Sequence, residues 1–145
     1  MLKKVLKNER GLTLVELLAV IVILGIVAAI AIPSIGSIIQ KSKEDAYKAD
    51  AIQVLNAAKT YVASNGIPDG NSITKQLLDP FVSDVDLPDG YTVAVTDDGK
   101  VFELTAAAKK VGTATITFTG ATTSEIDADK EKGTRTIGVQ KEEQE

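Results

Sequence analysis

The 145-residue chain contains no cysteine and no histidine. Without cysteine there is no disulfide framework and no thiolate chemistry. Losing histidine as well removes the commonest metal ligand and the commonest general base. No catalytic role is therefore expected, and no metal or other cofactor. Aromatic residues are scarce too, three Phe and three Tyr, so any folded head has a small core.

Charge is unevenly spread. Of 16 basic and 20 acidic residues, Lys3, Lys4, Lys7 and Arg10 share the first 11 positions with a single acid, Glu9. The remainder holds 12 basic and 19 acidic residues, a formal net charge of −7. Such a body offers no general electrostatic grip on nucleic acid; any contact would have to come from a local cluster such as Lys109–Lys110.

From Leu17 to Ile39 no residue is charged, a run of 23. About 20 apolar residues span a bilayer core as a helix. The basic leader places residues 1–11 in the cytoplasm and the C-terminal body outside. Three readings compete. A secretory signal peptide would be cut after Ala29-Ile30-Ala31. A plain anchor would stay uncut, and a third kind of segment is cut before the apolar run.

Glu16 and Pro33 separate these readings. A carboxylate at the edge of hydrocarbon costs up to ~3 kcal/mol when central, and neither a signal peptide nor an anchor benefits from it. A shallow Glu whose head reaches the interface would cost little. Pro33 removes an amide donor and clashes with the preceding turn, so a kink is expected there, loosened further by Gly25 and Gly36. Gly and Pro are also common in ordinary membrane helices.

The stretch Arg10-Gly11-Leu12-Thr13-Leu14-Val15-Glu16-Leu17-Leu18 resembles the class III signal of type IV prepilins and pseudopilins. The resemblance covers residues 1 to about 40. It implies cleavage after Gly11 by a prepilin peptidase, a new N-terminus at Leu12 that is N-methylated, and an assembly role for Glu16, the fifth mature residue. Gly25 and Pro33 fall where the family often carries Gly and Pro. Leu12 stands where Phe is more usual, and a second helix-bending Pro and the C-terminal cysteine pair of many Gram-negative pilins are missing, which fits a Gram-positive member. The implied partners are sister subunits in a helical filament, the membrane, the peptidase, and an assembly ATPase with its platform protein. Pairing of Glu16 with the Leu12 amine of a neighbour would then set subunit register. Two alternatives remain: a pseudopilin of a secretion or DNA-uptake system, and an anchored or secreted binding domain with an ordinary signal.

Beyond the apolar run, Tyr47, Ala51, Val54, Leu55, Ala58, Tyr61 and Val62 recur at helical spacing. Asn65-Gly66, followed by Pro68, stops the helix. One helix over 12–65 would be roughly 80 Å long, its second half carrying a stripe that needs a cover. A short helix is expected at Ser72–Leu78, then strands at Tyr91–Thr96, Val101–Leu104, Thr113–Thr119 and Thr134–Val139. Asp97–Lys100 reads as a hairpin turn and Lys109–Gly112 as a looser one. The expected fold is α+β, a long N-terminal helix against an antiparallel meander. Its parts are a leader (1–11), a filament-core or membrane helix (12–39), an amphipathic continuation (40–65), a head (66–139) and a charged tail (140–145).

Asp127, Asp129 and Glu131 invite comparison with a calcium loop, but the sixth and twelfth places from Asp127 hold Lys132 and Gly138 rather than Gly and Glu. They read as a solvated charged loop. Asp84, Asp86, Asp89, Asp97 and Asp98 read as turn residues. Lys41 and Lys43 mark the outer membrane interface.

Overall fold

The computed structural model describes the backbone of residues 2–138 and the side chains of residues 13–138. Helix α1 covers Leu2–Asn65, starting ten residues earlier than expected, so the leader shares it. The helix assignment continues through Pro33. The chain divides into two compact units, Met1–Ile39 and Gln40–Glu145.

The second unit joins the rest of α1 to β1 (Ser72–Thr74), α2 (Lys75–Leu78), β2 (Thr92–Thr96), β3 (Val101–Val111), β4 (Ala114–Ala121), α3 (Thr123–Ala128) and β5 (Arg135–Ile137). The five strands form one sheet in sequence order. Tyr47, Ala51, Val54, Leu55 and Ala58 are buried as the helical spacing requires, while Tyr61 and Val62 are half-buried at the rim. The small alanines let the sheet approach the helix, and Val93, Leu104, Ile116 and Phe118 face it fully buried. Tyr47 and Phe118 stack with ring centroids 5.4 Å apart. Burying side chains of this size contributes about 1.5–3 kcal/mol each.

Three expectations need correction. The helix expected at Ser72–Leu78 is half strand: Ile73, fully buried, pairs with Val93, and only Lys75–Leu78 is helical. Tertiary pairing overrides local preference there. The strand expected at Val101–Leu104 runs on to Val111, with register shifts on either side of Ala106, so Lys109 and Lys110 lie in the strand and the turn falls at Gly112-Thr113. Finally, the sheet is not a pure meander. β5 pairs with β4 in parallel, Arg135 opposite Ile116 and Ile137 opposite Phe118. A parallel return needs a crossover of about a dozen residues, and the segment 122–134 supplies it through α3, capped by reciprocal Thr122 and Glu125 bonds. Val139 and the tail Gln140–Glu145 lie outside the described residues. The turn at Asp97–Lys100 is as expected, with Asp97 and Asp98 both at positive φ.

A polar seam runs along α1 at Gln40, Glu44 and Lys48, one turn apart. The Gln40 amide donates to the Val111 carbonyl (2.9 Å) and to Glu44 Oε1 (2.7 Å), and its oxygen accepts from the Thr113 amide (2.9 Å). Glu44 Oε2 accepts from Arg135 Nη1 at 2.7 Å, and Arg135 grips Asp129 with Nε and Nη2. Lys48 donates to the Asp129 carbonyl at 2.8 Å. The Glu44 and Arg135 side chains are each 6% exposed, and that of Asp129 is 9%. Asp129 is thus no solvated loop residue, as its spacing had suggested, but half of a buried ion cluster that ties the C-terminal strand to the helix.

Burial pushes the Glu44 carboxyl upward, but hydrogen bonds from Gln40 and Arg135 and the guanidinium charge outweigh it and hold its pKa below the usual value. Asp129 is lowered in the same way, burial opposed by Arg135 and Lys48. Groups with depressed folded pKa values stabilise the fold above their unfolded values, about 4.3 and 3.9. That contribution is lost as pH falls through the lower folded values. Arg135→Ala leaves buried Glu44 without a cation and Asp129 with Lys48 alone, and should cost about 3–5 kcal/mol. Urea titration between pH 7 and 3 should give a midpoint falling with acid in the parent chain and a shallower acid slope in the variant.

Gly112 is held at φ +63, and a Cβ there would lie 2.0 Å from the Gln40 amide oxygen. Gly112→Ala should therefore cost more than the ~1 kcal/mol typical of a strained backbone alone. In a Gln40→Ala background the added loss should shrink, measurable as a coupling energy in a double-mutant cycle.

Candidate functional site

Between Leu14 and Ile39 the helix is apolar on every side. Sixteen large aliphatic side chains there are each at least half exposed, from Ile39 at 50% to Ile30 at 72%. A helix with a single apolar stripe packs onto a globular core, whereas one that is apolar all round belongs inside lipid or inside a bundle. The 23 residues from Leu17 rise roughly 35 Å at 1.5 Å each, against a hydrocarbon core of about 30 Å. By length and composition this segment can cross a membrane.

The expected processing and assembly residues share this helix. Gly11 and Leu12 lie within its helical backbone. Glu16 follows Leu12 by four positions, one turn along the same face. Its side chain is exposed between Val15 and Leu17, and it has no ion-pair partner among the described residues. Gly25 has open space where a Cβ would stand, and Pro33 sits inside the helix. The fold thus supplies an exposed carboxylate on an apolar rod, with no cation beside it among the described residues.

The head offers no comparable chemistry. One cleft, about 260 Å³, lies between Tyr47, Asp50, Asp86, Lys109 and the Gly112 turn. Lys109 bonds the Asp86 carboxylate at its rim and lies 5.7 Å from the Tyr47 ring centre. The Tyr47 hydroxyl is buried without a partner, and its pKa is pushed up to about 12 by burial and by the charges of Asp86 and Asp50. A hydroxyl held neutral in this way is not an activated nucleophile or base. A second cleft, about 220 Å³, is formed by Ile67, Asn71 and the Asp97–Gly99 turn. Among the described residues no acidic group is placed to hold a metal ion.

Sequence reasoning missed Glu44, Asp129 and Arg135 as a cluster. A partial signal existed, because stepping the Tyr47–Ala51 stripe backward lands on Glu44 and Gln40. No local pattern identifies Arg135, 91 residues away, as the partner.

No solved structure matches the chain. Residues 6–32 match the prokaryotic N-terminal methylation motif, which is a structural signal rather than an enzyme family. The match begins in the basic leader, passes through Gly11, Leu12 and Glu16, and ends one residue before Pro33. The chain therefore carries the class III signal of type IV pilins and pseudopilins, mounted on the apolar helix of a pilin-like precursor.

Proposed function

We propose that this protein is the structural subunit of a type IV pilus-like extracellular filament. The observation that carries the reading is the coincidence of the methylation motif with an apolar helix that lacks any cover of its own. The precursor sits in the cytoplasmic membrane with residues 1–11 inside and the head outside. Prepilin peptidase cuts after Gly11 and Leu12 becomes the methylated N-terminus. An assembly ATPase and its platform protein then extract the helix into a bundle of identical helices. Lipid and the filament core solve the same problem in turn, keeping the aliphatic surface between Leu14 and Ile39 from water.

Glu16 is the register device. After cleavage the Leu12 amine is a free cation at the tip of an apolar rod. A buried unpaired charge costs several kcal/mol, so an axial offset that brings the amine of one subunit to Glu16 of its neighbour is selected over all others. The pair contributes specificity more than net stability.

A sizeable five-stranded head favours a main filament subunit over a pseudopilin. Imaging a deletion strain and its parent for long surface filaments separates the two. Mass analysis of the mature chain should give an N-terminus at Leu12 carrying one added methyl group. A mature chain starting at Ile32, or an uncut chain, contradicts the reading. Glu16→Ala should insert and be processed at the parental rate yet yield filaments at no more than a few per cent of the parental number by electron microscopy. Abundant filaments of that variant would remove the register role.

A further inference from the structure

Among the described residues, the lysines nearest the end of the apolar run have no carboxylate paired with them. Around the first turns of the head each carboxylate is already engaged. Glu44 holds Arg135, Asp45 faces Lys48 at 3.4 Å, Asp86 holds Lys109, and Asp50 accepts from the Asp86 amide at 3.0 Å. Lys41, Lys43 and Lys110 are left over, exposed and without an ion pair among the described residues. Lys41 and Lys43 are two and four residues beyond Ile39, and two residues turn a helix by about 200°, so they point to opposite flanks. Lys110 joins them because the Gln40 amide holds the Val111–Thr113 turn against the helix. Lys43 and Lys110 border the same cleft.

We propose that Lys41, Lys43 and Lys110 form a basic collar that seats the head on anionic lipid headgroups at the outer face of the membrane before assembly. The proposal rests on the reading of 12–39 as a membrane-held helix. A lysine ammonium close to an anionic bilayer gains roughly 1 kcal/mol, about fivefold in association, and that gain decays within a Debye length. Three such contacts hold the head down strongly enough to orient it and weakly enough to release it when the helix is drawn out. Arg135, Lys48 and Lys109 offset most of the neighbouring carboxylate charge, and Asp50, held by a backbone amide, is the main one left to oppose it.

The test uses the full chain reconstituted in vesicles of phosphatidylcholine alone or mixed with phosphatidylglycerol. Since the chain has no thiol, Thr113→Cys provides a unique site for a fluorophore at the turn beside Gln40. A quencher attached to lipid headgroups then reports how close the turn lies to the surface. Quenching should be strong with phosphatidylglycerol, fall several-fold in neutral vesicles, and drop to the neutral level in the triple variant Lys41→Gln, Lys43→Gln, Lys110→Gln. The triple Lys→Arg variant should quench like the parent. Quenching that is equal in both lipids, or unchanged in the glutamine variant, overturns the collar. Vesicle flotation of the same samples in high salt reads insertion separately. A chain that floats without charge-dependent quenching overturns the collar alone, and one that fails to float overturns the membrane reading with it.

Discussion

Between Leu14 and Ile39 the helix presents exposed aliphatic side chains in every direction. Water tolerates isolated exposed leucines but not a continuous sheath of them, since the free energy of hydration scales with apolar area. Every other feature of the protein lives with that constraint. The basic leader stands at one end of that rod, the asymmetry that biases how an apolar helix enters a bilayer. The carboxylate of Glu16 sits at the edge of this surface, where its charge is cheap only in reach of water or of a cation. The buried core of the head draws on the helix only from Tyr47 onward, beyond this apolar half.

The head meets this demand with a small core and a long polar seam. Its aromatic content is low, and alanines at positions 51, 57 and 58 trade side-chain volume for close approach between helix and sheet. What a larger core would have supplied in specificity, the Gln40–Glu44–Arg135–Asp129 chain supplies through geometry. Gln40 fixes the β3–β4 turn and Arg135 fixes β5, both against successive turns of one helix face. Here the fastening is an ion cluster with every member hydrogen-bonded, the condition under which buried charge is tolerable.

Much of this was legible in residue order, and the failures have physical reasons. Leader, Gly11, Glu16 and the apolar run form a pattern local in sequence, so it is readable, and the methylation motif spans it. The amphipathic stripe from Tyr47 and the hairpin at Asp97–Lys100 are also local signals, and both stand in the fold. The parallel placement of β5 was not legible, because direction depends on a crossover whose capping box at Thr122 and Glu125 makes only six residues of helix. Strand β1 was missed for the same reason, three residues that become a strand only through pairing with β2. Asp129 looked like a loop acid because its partner lies six residues away in sequence and its second neighbour, Lys48, lies 81 away.

The separation of 91 residues between Glu44 and Arg135 also has a kinetic side. Contacts of such high sequence separation form late, since loop-closure entropy must be met before they repay it. In chain order Glu44 comes early and Arg135 near the end. Until then the helix face carries a carboxylate with no counter-charge, and the sheet lacks its last strand. Closure of the head thus waits for its last strand, and a chain clipped before Arg135 would leave Glu44 without its counter-charge and the β4 edge unpaired.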